Sequence, residues 1–442
     1  MNLLALSSAR IITPTGTVGG VVVLDNDHIH SVGSFNDLPS GIRHIEYGTD
    51  AILPGLVDSH VHVNEPGRTE WEGFSTATRA AAAGGVTTII DMPLNCSPVT
   101  TTVEALEVKR TAAKKQLWVD CGFYAGVVPG SDQHLVALTS QGIRGAKAFL
   151  VHSGIEEFPA VGEMELRAAL PILQKAGLPL LVHAELASST RAGISSARSY
   201  GAYVRSRPPE WETDAIKLLL SLCEEFRSHI HIVHLSARES LPILQEAKQN
   251  GLPVTTETCP HYLLYSEEEI PDGDTRFKCA PPIRSREHKE SLWEGLLDGT
   301  VDLVVSDHSP SPPSMKFLDE GDFVKAWGGI SSIQFGLPAV WTEAANRGAT
   351  LNNMVDWMST QPAKLAGIST RKGAIAPGMD ADLVVFDPDG ETLVSSTNIL
   401  HRHKVTPYEG KLLRGKVRAT YLRGKAVYEN GIFEKTARGI LV

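Results

Sequence analysis

Histidine side chains that could bind a metal ion occur at several separated points along the chain. His60 and His62 lie two residues apart at the end of an apolar segment, in Asp58-Ser59-His60-Val61-His62. If that segment is a β-strand, alternate side chains share a face, so the two imidazoles point the same way. A His-x-His pair alone is weak evidence, because polar residues are common at strand ends. The evidence for a metal site is stronger when the pair is considered together with residues later in the chain.

Four further polar residues occur at or near the ends of later apolar segments: Lys147, His183, His234 and Asp307. Imidazole and carboxylate groups are ligands of zinc, cobalt, manganese and iron. An unpaired ammonium inside an apolar strand is costly. Lys147 is therefore expected to form a salt bridge, to extend to solvent, or to have reacted with carbon dioxide to give a carbamate that bridges two metal ions. The four histidines favour the carbamate.

The middle of the chain alternates short apolar, β-branched segments with helical segments, many of which end in glycine. Such alternation predicts parallel strands buried on both faces, and eight of them predict closure into a (β/α)8 barrel. An open doubly wound sheet is the alternative, but no Gly-x-Gly-x-x-Gly follows the first strand. The predicted strands are residues 52–57, 87–91, 118–123, 145–150, 179–182, 230–233, 253–256 and 302–305.

The barrel explains why the polar residues fall where they do. In this fold the C-terminal ends of the strands converge on one mouth, where active sites are built. All six candidate ligands lie at or near the C-terminal ends of predicted strands, so the pattern predicts one metal centre at that mouth. The first predicted helix, residues 70–83, directly follows the His-x-His segment.

The two ends of the chain have a different character from the middle. Residues 8–50 and 381–428 contain short strand-like segments separated by Gly and Asp-Gly turns. We expect the ends to pair into one small β-sandwich domain. The predicted division is 1–52 and 371–442 for this domain and 53–370 for the barrel, which is consistent with the roughly 250 residues or more that such barrels occupy.

Composition excludes several classes of partner. The chain has 442 residues, 42% of them hydrophobic, a formal net charge of −10 and a pI of about 5.9. Its basic residues are scattered, so neither nucleic acid nor an anionic membrane is an expected partner. No apolar run has the length of a membrane span. Five cysteines without metal-site spacing are typical of reduced thiols, so a cytoplasmic location is expected.

The ligand pattern, together with the motif at residues 372–384, resembles the amidohydrolase superfamily and within it the cyclic amidohydrolases, over almost the whole chain. The resemblance implies that His60 and His62 bind the more buried of two metal ions and that His183 and His234 bind the more exposed one. It implies that Lys147 is an N6-carboxylysine bridging both. Asp307 would ligate the buried metal and shuttle a proton as the catalytic residue. Zinc is the expected metal, with cobalt, manganese and iron as alternatives, and a homotetramer is the expected assembly.

Four motifs near the candidate ligands indicate which of the cyclic amidohydrolases the chain resembles most. Residues 62–68, 91–95, 278–284 and 306–310 resemble those of allantoinases. Asn64 stands where a dihydroorotase has arginine, and His152 stands where a dihydropyrimidinase has tyrosine. The implied reaction is hydrolytic opening of allantoin to allantoate. A dihydropyrimidinase or hydantoinase activity is the alternative enzyme, and a non-catalytic scaffold of the same fold is the alternative in another class, although such relatives lose metal ligands.

The substrate is expected to be a small cyclic ureide. Related enzymes hold the cyclic amide largely through backbone groups, which leave little trace in a sequence. The matching segments here contain Ala280 and Gly328, while Asn95 and His152 are the side-chain candidates for substrate contact. Gly328 and Gly329 fit either a turn or a close approach of backbone to ligand.

Overall fold

The structure is a computed structural model that describes residues 3–187 and 194–442. Its strands are β1 (Leu3–Thr13), β2 (Gly16–Asp25), β3 (His28–Gly33), β4 (Arg43–Glu46), β5 (Ala51–Pro54), β6 (Leu56–Val61), β7 (Val86–Asp91), β8 (Asp120–Phe123), β9 (Ala125–Gly126), β10 (Ala146–Phe149), β11 (Leu180–His183), β12 (Ile230–Ile232), β13 (Val254–Thr258), β14 (Leu303–Val304), β15 (Leu383–Leu393), β16 (Leu412–Leu422), β17 (Lys425–Glu429) and β18 (Ile432–Phe433).

The α-helices are α1 (Phe74–Ala83), α2 (Val103–Ala113), α3 (Asp132–Thr139), α4 (Glu163–Ala176), α5 (Tyr200–Arg205), α6 (Pro209–Phe226), α7 (Leu241–Gln249), α8 (Pro260–Leu264), α9 (Arg286–Asp298), α10 (Gly336–Ala344), α11 (Leu351–Val355) and α12 (Gln361–Leu365). A π-helical turn, Asp356–Thr360, joins the last two. In the described part of the chain, none of the helices has both the length and the apolar character needed to cross a bilayer.

Strands β6 to β14 form the predicted barrel. Neighbouring strands pair in parallel from β6 to β8 and from β9 to β14, and only Tyr124 separates β8 from β9, so these two occupy one position in an eight-stranded arrangement. The ring closes between the first and last strands, where the His62 N–H donates to the His308 carbonyl at 2.8 Å. Every residue of β7 and β10 is buried, as expected for strands covered on both faces. The predicted fold class is confirmed.

Sequence signals place the ends of the helices around this barrel. Helix α6 begins with Pro209 in its first turn and carries Glu210 and Glu212 there, close to the unpaired backbone N–H groups. It ends where Arg227 adopts a left-handed conformation with φ of 50°. The first helix begins at Phe74 rather than at residue 70, because Gly73 has a φ of 104° that does not continue a helix.

Both chain ends contribute to a second, nine-stranded sheet. Its order is β18-β17-β16-β15-β5-β1-β2-β3, with β4 paired to β1. Strand β5 pairs in parallel with β1 and antiparallel with β15, so it joins the two ends of the chain. The predicted pairing of the ends is therefore confirmed, while the boundaries at residues 52 and 371 stay a prediction.

The predicted first barrel strand, residues 52–57, is in fact parts of two strands. Gly55 separates β5, in the flanking sheet, from β6, in the barrel. A β-carbon on Gly55 would lie 2.2 Å from Thr87 Oγ1, so the chain passes β7 here at a distance that only glycine allows. An apolar run gives no sign of this change of sheet.

A buried ionic cluster connects the flanking sheet to the N-terminal end of the barrel. Asp120, the first residue of β8, accepts hydrogen bonds from Lys372 Nζ at 2.8 Å and from Arg423 at 2.6 Å. Lys372 Nζ also donates to Asp382 at 2.5 Å. These carboxylates raise the pKa of Lys372 despite the opposing effect of burial. The cluster lies at the end of the barrel opposite the predicted metal centre.

Candidate active site

Three of the predicted ligands converge on one point. His60 lies in β6, His62 follows it, and Asp307 follows β14 with a φ of 44°. Asp307 Oδ1 is 3.2 Å from His60 Nε2 and 3.5 Å from His62 Nε2. One ligand atom from each residue lies within 4.8 Å of the others, and all three residues are buried. The donor set of two imidazole nitrogens and a carboxylate oxygen fits a divalent transition metal.

His183 and His234 extend this group along the mouth of the barrel. His183 is the last residue of β11, and His234 follows β12. Their ring centroids are 4.6 Å apart, and the His234 ring is 5.6 Å from that of His60. Phe149 stacks on His183 at 4.6 Å. The four predicted histidine ligands therefore form one continuous cluster.

Lys147 in β10 is fully buried, and its amine has no hydrogen-bond partner within the described residues. Its Nζ lies 5.2 Å from the centre of the Phe149 ring. Burial lowers the pKa of Lys147 to about 8, although Glu257 and Asp307 act in the opposite direction. In the part of the chain that is described, Lys147 forms no salt bridge, and it does not reach solvent. Two of the three expectations for this lysine are thus wrong.

A carboxyl group and an amide group orient the rings of His60 and His62. Glu257 in β13 contacts His60 Nδ1, and its other oxygen lies 2.9 Å from His231 Nε2. The side-chain amide of Asn95 lies 3.3 Å from His62 Nδ1. Because Nδ1 is engaged in each ring, the Nε2 atoms that face Asp307 are left to bind a metal.

The His183 ring is held in the same manner from the other side. Glu185 Oε2 lies 2.6 Å from His183 Nε2, which leaves Nδ1 available. Arg207 donates to both oxygens of Glu185, one of them at 3.0 Å. Burial alone would raise the pKa of Glu185, but Arg207 and His183 lower it. Glu185 is therefore a carboxylate that orients His183.

Burial shifts the pKa values of several titratable groups in the site. It lowers the pKa of His60 and His234 well below the usual value, and neighbouring cationic side chains add to the effect. Burial also lowers the pKa of His183 despite the opposing contact with Glu185. His60, His183 and His234 are thus held neutral, which is the state that binds metal. Burial raises the pKa of Glu257, and Lys147 only partly offsets this effect.

Sequence reasoning did not find Glu257, Glu185, Arg207 or His231. Glu257 carried a usable signal, because it is a charged residue within the β-branched segment 254–258, as Lys147 is a charged residue within β10. His231 lies in β12, but only the pairing of β12 with β13 brings it to Glu257. Such a cross-strand contact cannot be located before the strand order is known.

The cluster of predicted metal ligands opens into a cavity of about 620 Å³. His152, Asn95, Ala280 and Gly328 all line it, together with every predicted metal ligand except the fully buried Lys147. The His152 side chain is 59% exposed and lies 3.2 Å from Glu156. The structure thus brings the four predicted substrate contacts to one cavity.

The neighbouring residues Gly328 and Gly329 differ in whether the structure has room for a side chain. A β-carbon on Gly329 would lie 2.3 Å from the Ser309 carbonyl oxygen, so close backbone packing excludes a side chain there. A β-carbon on Gly328 would meet only Ala280, at 3.9 Å, which is ordinary contact. Gly328 is exposed to the cavity and has room on that side.

Sequence comparison decides which family this arrangement represents. The model of the amidohydrolase family matches residues 51–427. This chain belongs to that family. It is 45% identical to allantoinase from Arabidopsis thaliana, covering 99% of this chain and 90% of the relative. It is 46% identical to allantoinase from Streptomyces avermitilis, covering 97% and 96%.

Solved structures agree with this placement. L-hydantoinase (dihydropyrimidinase) from Arthrobacter aurescens superposes with a TM-score of 0.93 at 29% sequence identity, covering 100% of this chain and 99% of the other. The predicted resemblance to allantoinases is confirmed by the curated relatives, and family membership confirms the prediction of a hydrolytic enzyme.

Proposed function

We propose that this enzyme hydrolyses allantoin to allantoate, using two divalent metal ions bound at the mouth of the barrel. The observation that carries the proposal is the convergence of His60, His62 and Asp307 on one point beside His183 and His234. The similarity to allantoinases over nearly the full chain supports the choice of substrate.

Each metal has its own set of ligands in this proposal. His60, His62 and Asp307 would hold one ion, since their ligand atoms face one another, and the resemblance to cyclic amidohydrolases makes this the more buried ion. His183 and His234 hold the more exposed ion. Zinc suits these donors, and cobalt, manganese and iron suit them as well.

Lys147, as a carbamate, would supply oxygen ligands for the metals. The buried Lys147 amine has no hydrogen-bond partner among the described residues, and an unsatisfied buried polar group is costly, so we expect a bound or covalently attached group to interact with it. Reaction of the neutral amine with carbon dioxide forms an N–C bond, releases one proton and gives an anion with two ligand oxygens. The result is N6-carboxylysine.

The bound metals supply Lewis acidity and make the deprotonation of water easy at neutral pH. The Asp307 carboxylate takes the proton of the attacking water as general base. After water adds to the ring carbonyl, Asp307 returns that proton to the departing ring nitrogen as general acid. The C–N bond of the ring breaks, giving one carboxylate and one ureido group.

The cavity wall holds the ring in place for this attack. The N–H groups of Ala280 and Gly328 bind ring oxygens, and Asn95 contacts the ring beside His62. His152 lies at the rim and contacts the ureido group. Phe149 and Trp327 provide the apolar part of the wall.

The direct test is a panel of cyclic amides. Allantoin, hydantoin, dihydrouracil and dihydroorotate are supplied separately to the enzyme reconstituted with zinc and bicarbonate. We expect the largest kcat/KM for allantoin. A preference for dihydrouracil or hydantoin would instead support the dihydropyrimidinase alternative, which the likeness to the Arthrobacter aurescens structure favours.

The proposal includes a cytoplasmic homotetramer. All five cysteines are buried and unpaired, which is typical of proteins in a reducing compartment. The resemblance to cyclic amidohydrolases supports the tetramer. Light scattering after size-exclusion chromatography is expected to give about four times the chain mass of 47.7 kDa.

A further inference from the structure

Two lysines beside the cavity are buried without any carboxylate partner within the described residues. Lys316 and Lys278 are 4% and 9% exposed, and neither forms a salt bridge there. Burial lowers the pKa of Lys316 to about 7 and that of Lys278 to about 8. A buried ammonium group without a counter-charge destabilises the folded protein. The contacts of these two lysines therefore indicate what compensates for their burial.

The Lys316 ammonium group joins the two backbone segments that form one wall of the cavity. Its Nζ donates to the carbonyl oxygens of Trp327 at 3.0 Å and Gly329 at 2.7 Å, and it also lies 3.3 Å from the carbonyl oxygen of Lys278. The Gly329 N–H donates to that same Lys278 oxygen at 2.9 Å. Lys278 Nζ in turn donates to the Val324 carbonyl at 3.2 Å.

Holding a carbonyl also orients the N–H group of the next residue. The peptide unit is planar, and in its trans form the C=O and N–H point in opposite directions. Lys316 holds the Trp327 carbonyl, so it fixes the Gly328 N–H on the opposite side. Tyr203 OH donates to the Cys279 carbonyl at 2.6 Å and fixes the Ala280 N–H in the same way.

These two N–H groups are available to a ligand. Ala280 and Gly328 both line the cavity, and neither N–H donates to a protein acceptor in the described part of the chain. We propose that Lys316, assisted by Tyr203, is a positioning residue that aims the Gly328 and Ala280 N–H groups at the oxygens of the cyclic substrate. This inference rests on the proposed function, because it assumes a substrate with ring carbonyls.

The test compares Michaelis constants of single variants. Lys316→Met removes the ammonium group but keeps the length of the side chain, and Tyr203→Phe removes one hydroxyl. A misaligned N–H binds the ground state and the transition state less well to a similar degree, which raises KM with little change in kcat. We expect KM for allantoin to rise about tenfold in Lys316→Met and about threefold in Tyr203→Phe, as for weakened neutral hydrogen bonds.

Lys248→Met is the matched control. Lys248 also donates to backbone carbonyls, those of Gly299 and Thr300, and differs from Lys316 in pairing with Asp302 at 2.6 Å as well; it does not line the cavity. Its loss is expected to lower the melting temperature and to leave KM unchanged. Metal content is measured in all variants and is expected to equal that of the wild type, since neither Lys316 nor Tyr203 contacts a predicted ligand.

A KM for Lys316→Met within about twofold of the wild-type value, in folded protein with full metal content, would overturn the inference. Should Lys316→Met fail to fold, Tyr203→Phe decides the question, and an unchanged KM in that variant overturns the inference equally. A wild-type enzyme that hydrolyses none of the cyclic amides would instead refute the proposed function. The two failures are therefore distinguishable.

Discussion

Glu257 offers the sharpest test of how the site is built, because one buried carboxylate contacts both His60 and His231. Glu257→Gln keeps the shape of the side chain and removes the negative charge that Glu257 carries once a metal ion bound at His60 offsets the effect of burial on its pKa. Hydrogen bonds to a charged acceptor are worth about 1 kcal/mol more than those to a neutral one. Of the two imidazoles only His60 is a predicted ligand, and losing the carboxylate that orients such a ligand typically costs about 10- to 100-fold in metal affinity. We therefore expect the variant to bind the metal at His60 roughly thirtyfold more weakly, which is about 2 kcal/mol.

The assay is competition for zinc against a chromophoric chelator of known affinity. Glu257 does not line the cavity, so activity at saturating zinc is expected to return close to the wild-type value. Asp120→Asn is the control, since Asp120 is also fully buried in contact with cationic side chains but lies at the opposite end of the barrel. That control is expected to keep its zinc affinity.

Two outcomes would refute this reasoning. Zinc affinity within about threefold of the wild type would mean that Glu257 does not orient His60. A loss of activity that excess zinc does not restore would mean that Glu257 acts in the reaction rather than through its contact with a ligand.

Three further predictions concern other parts of the molecule. Lys147→Met is expected to lose more than about 100-fold in activity and to bind fewer metal ions. With carbon-13-labelled bicarbonate, we expect a carbamate signal in the wild-type spectrum and none in that of the variant. A carbamate signal in both proteins would contradict the assignment to Lys147. Asp120→Asn is expected to lower the free energy of unfolding by about 3 kcal/mol, because Lys372 and Arg423 lose a buried partner; an unchanged melting temperature would argue against this role. His401 is fully buried, and burial lowers its pKa from 6.5 to about 3. Since the unfolded chain gains a proton there near pH 6.5 and the folded protein does not, the stability contributed by neutral His401 is fully present above that pH and is lost as the pH falls toward about 3. His401→Gln should therefore show a shallower decline in urea stability between pH 7 and about 5, and identical slopes would contradict the assignment.

The positions of the predicted ligands followed from the sequence because two simple rules govern them. Side chains alternate along a strand, which placed His60 and His62 on one side, and the C-terminal ends of barrel strands converge, which placed Asp307 near them. Both rules need only the segment boundaries, and errors of one or two residues do not change the outcome.

Other features depend on contacts that no local pattern encodes. Glu185 is close to His183 in sequence, but its partner Arg207 is 22 residues away. The role inferred for Lys316 depends on backbone carbonyls, which every residue has. The division of residues 52–57 between two sheets depends on Gly55 passing Thr87, a tertiary contact. Sequence patterns therefore identified the candidate metal ligands. The residues that orient those ligands and the cavity wall could be located only from the fold.

The central position of β5 in the flanking sheet has a consequence for biosynthesis. Its partner β1 is made before it, but its partner β15 follows roughly 330 residues later, a wait of about 20 to 60 seconds at ribosomal speeds of 5–20 residues per second. During that interval the nascent chain carries an apolar strand, Ala51–Pro54, with one open edge. The unpaired N–H and C=O groups of an apolar edge strand can pair with another chain. This edge is therefore where we expect chaperone dependence, and aggregation of truncated translation products, to originate.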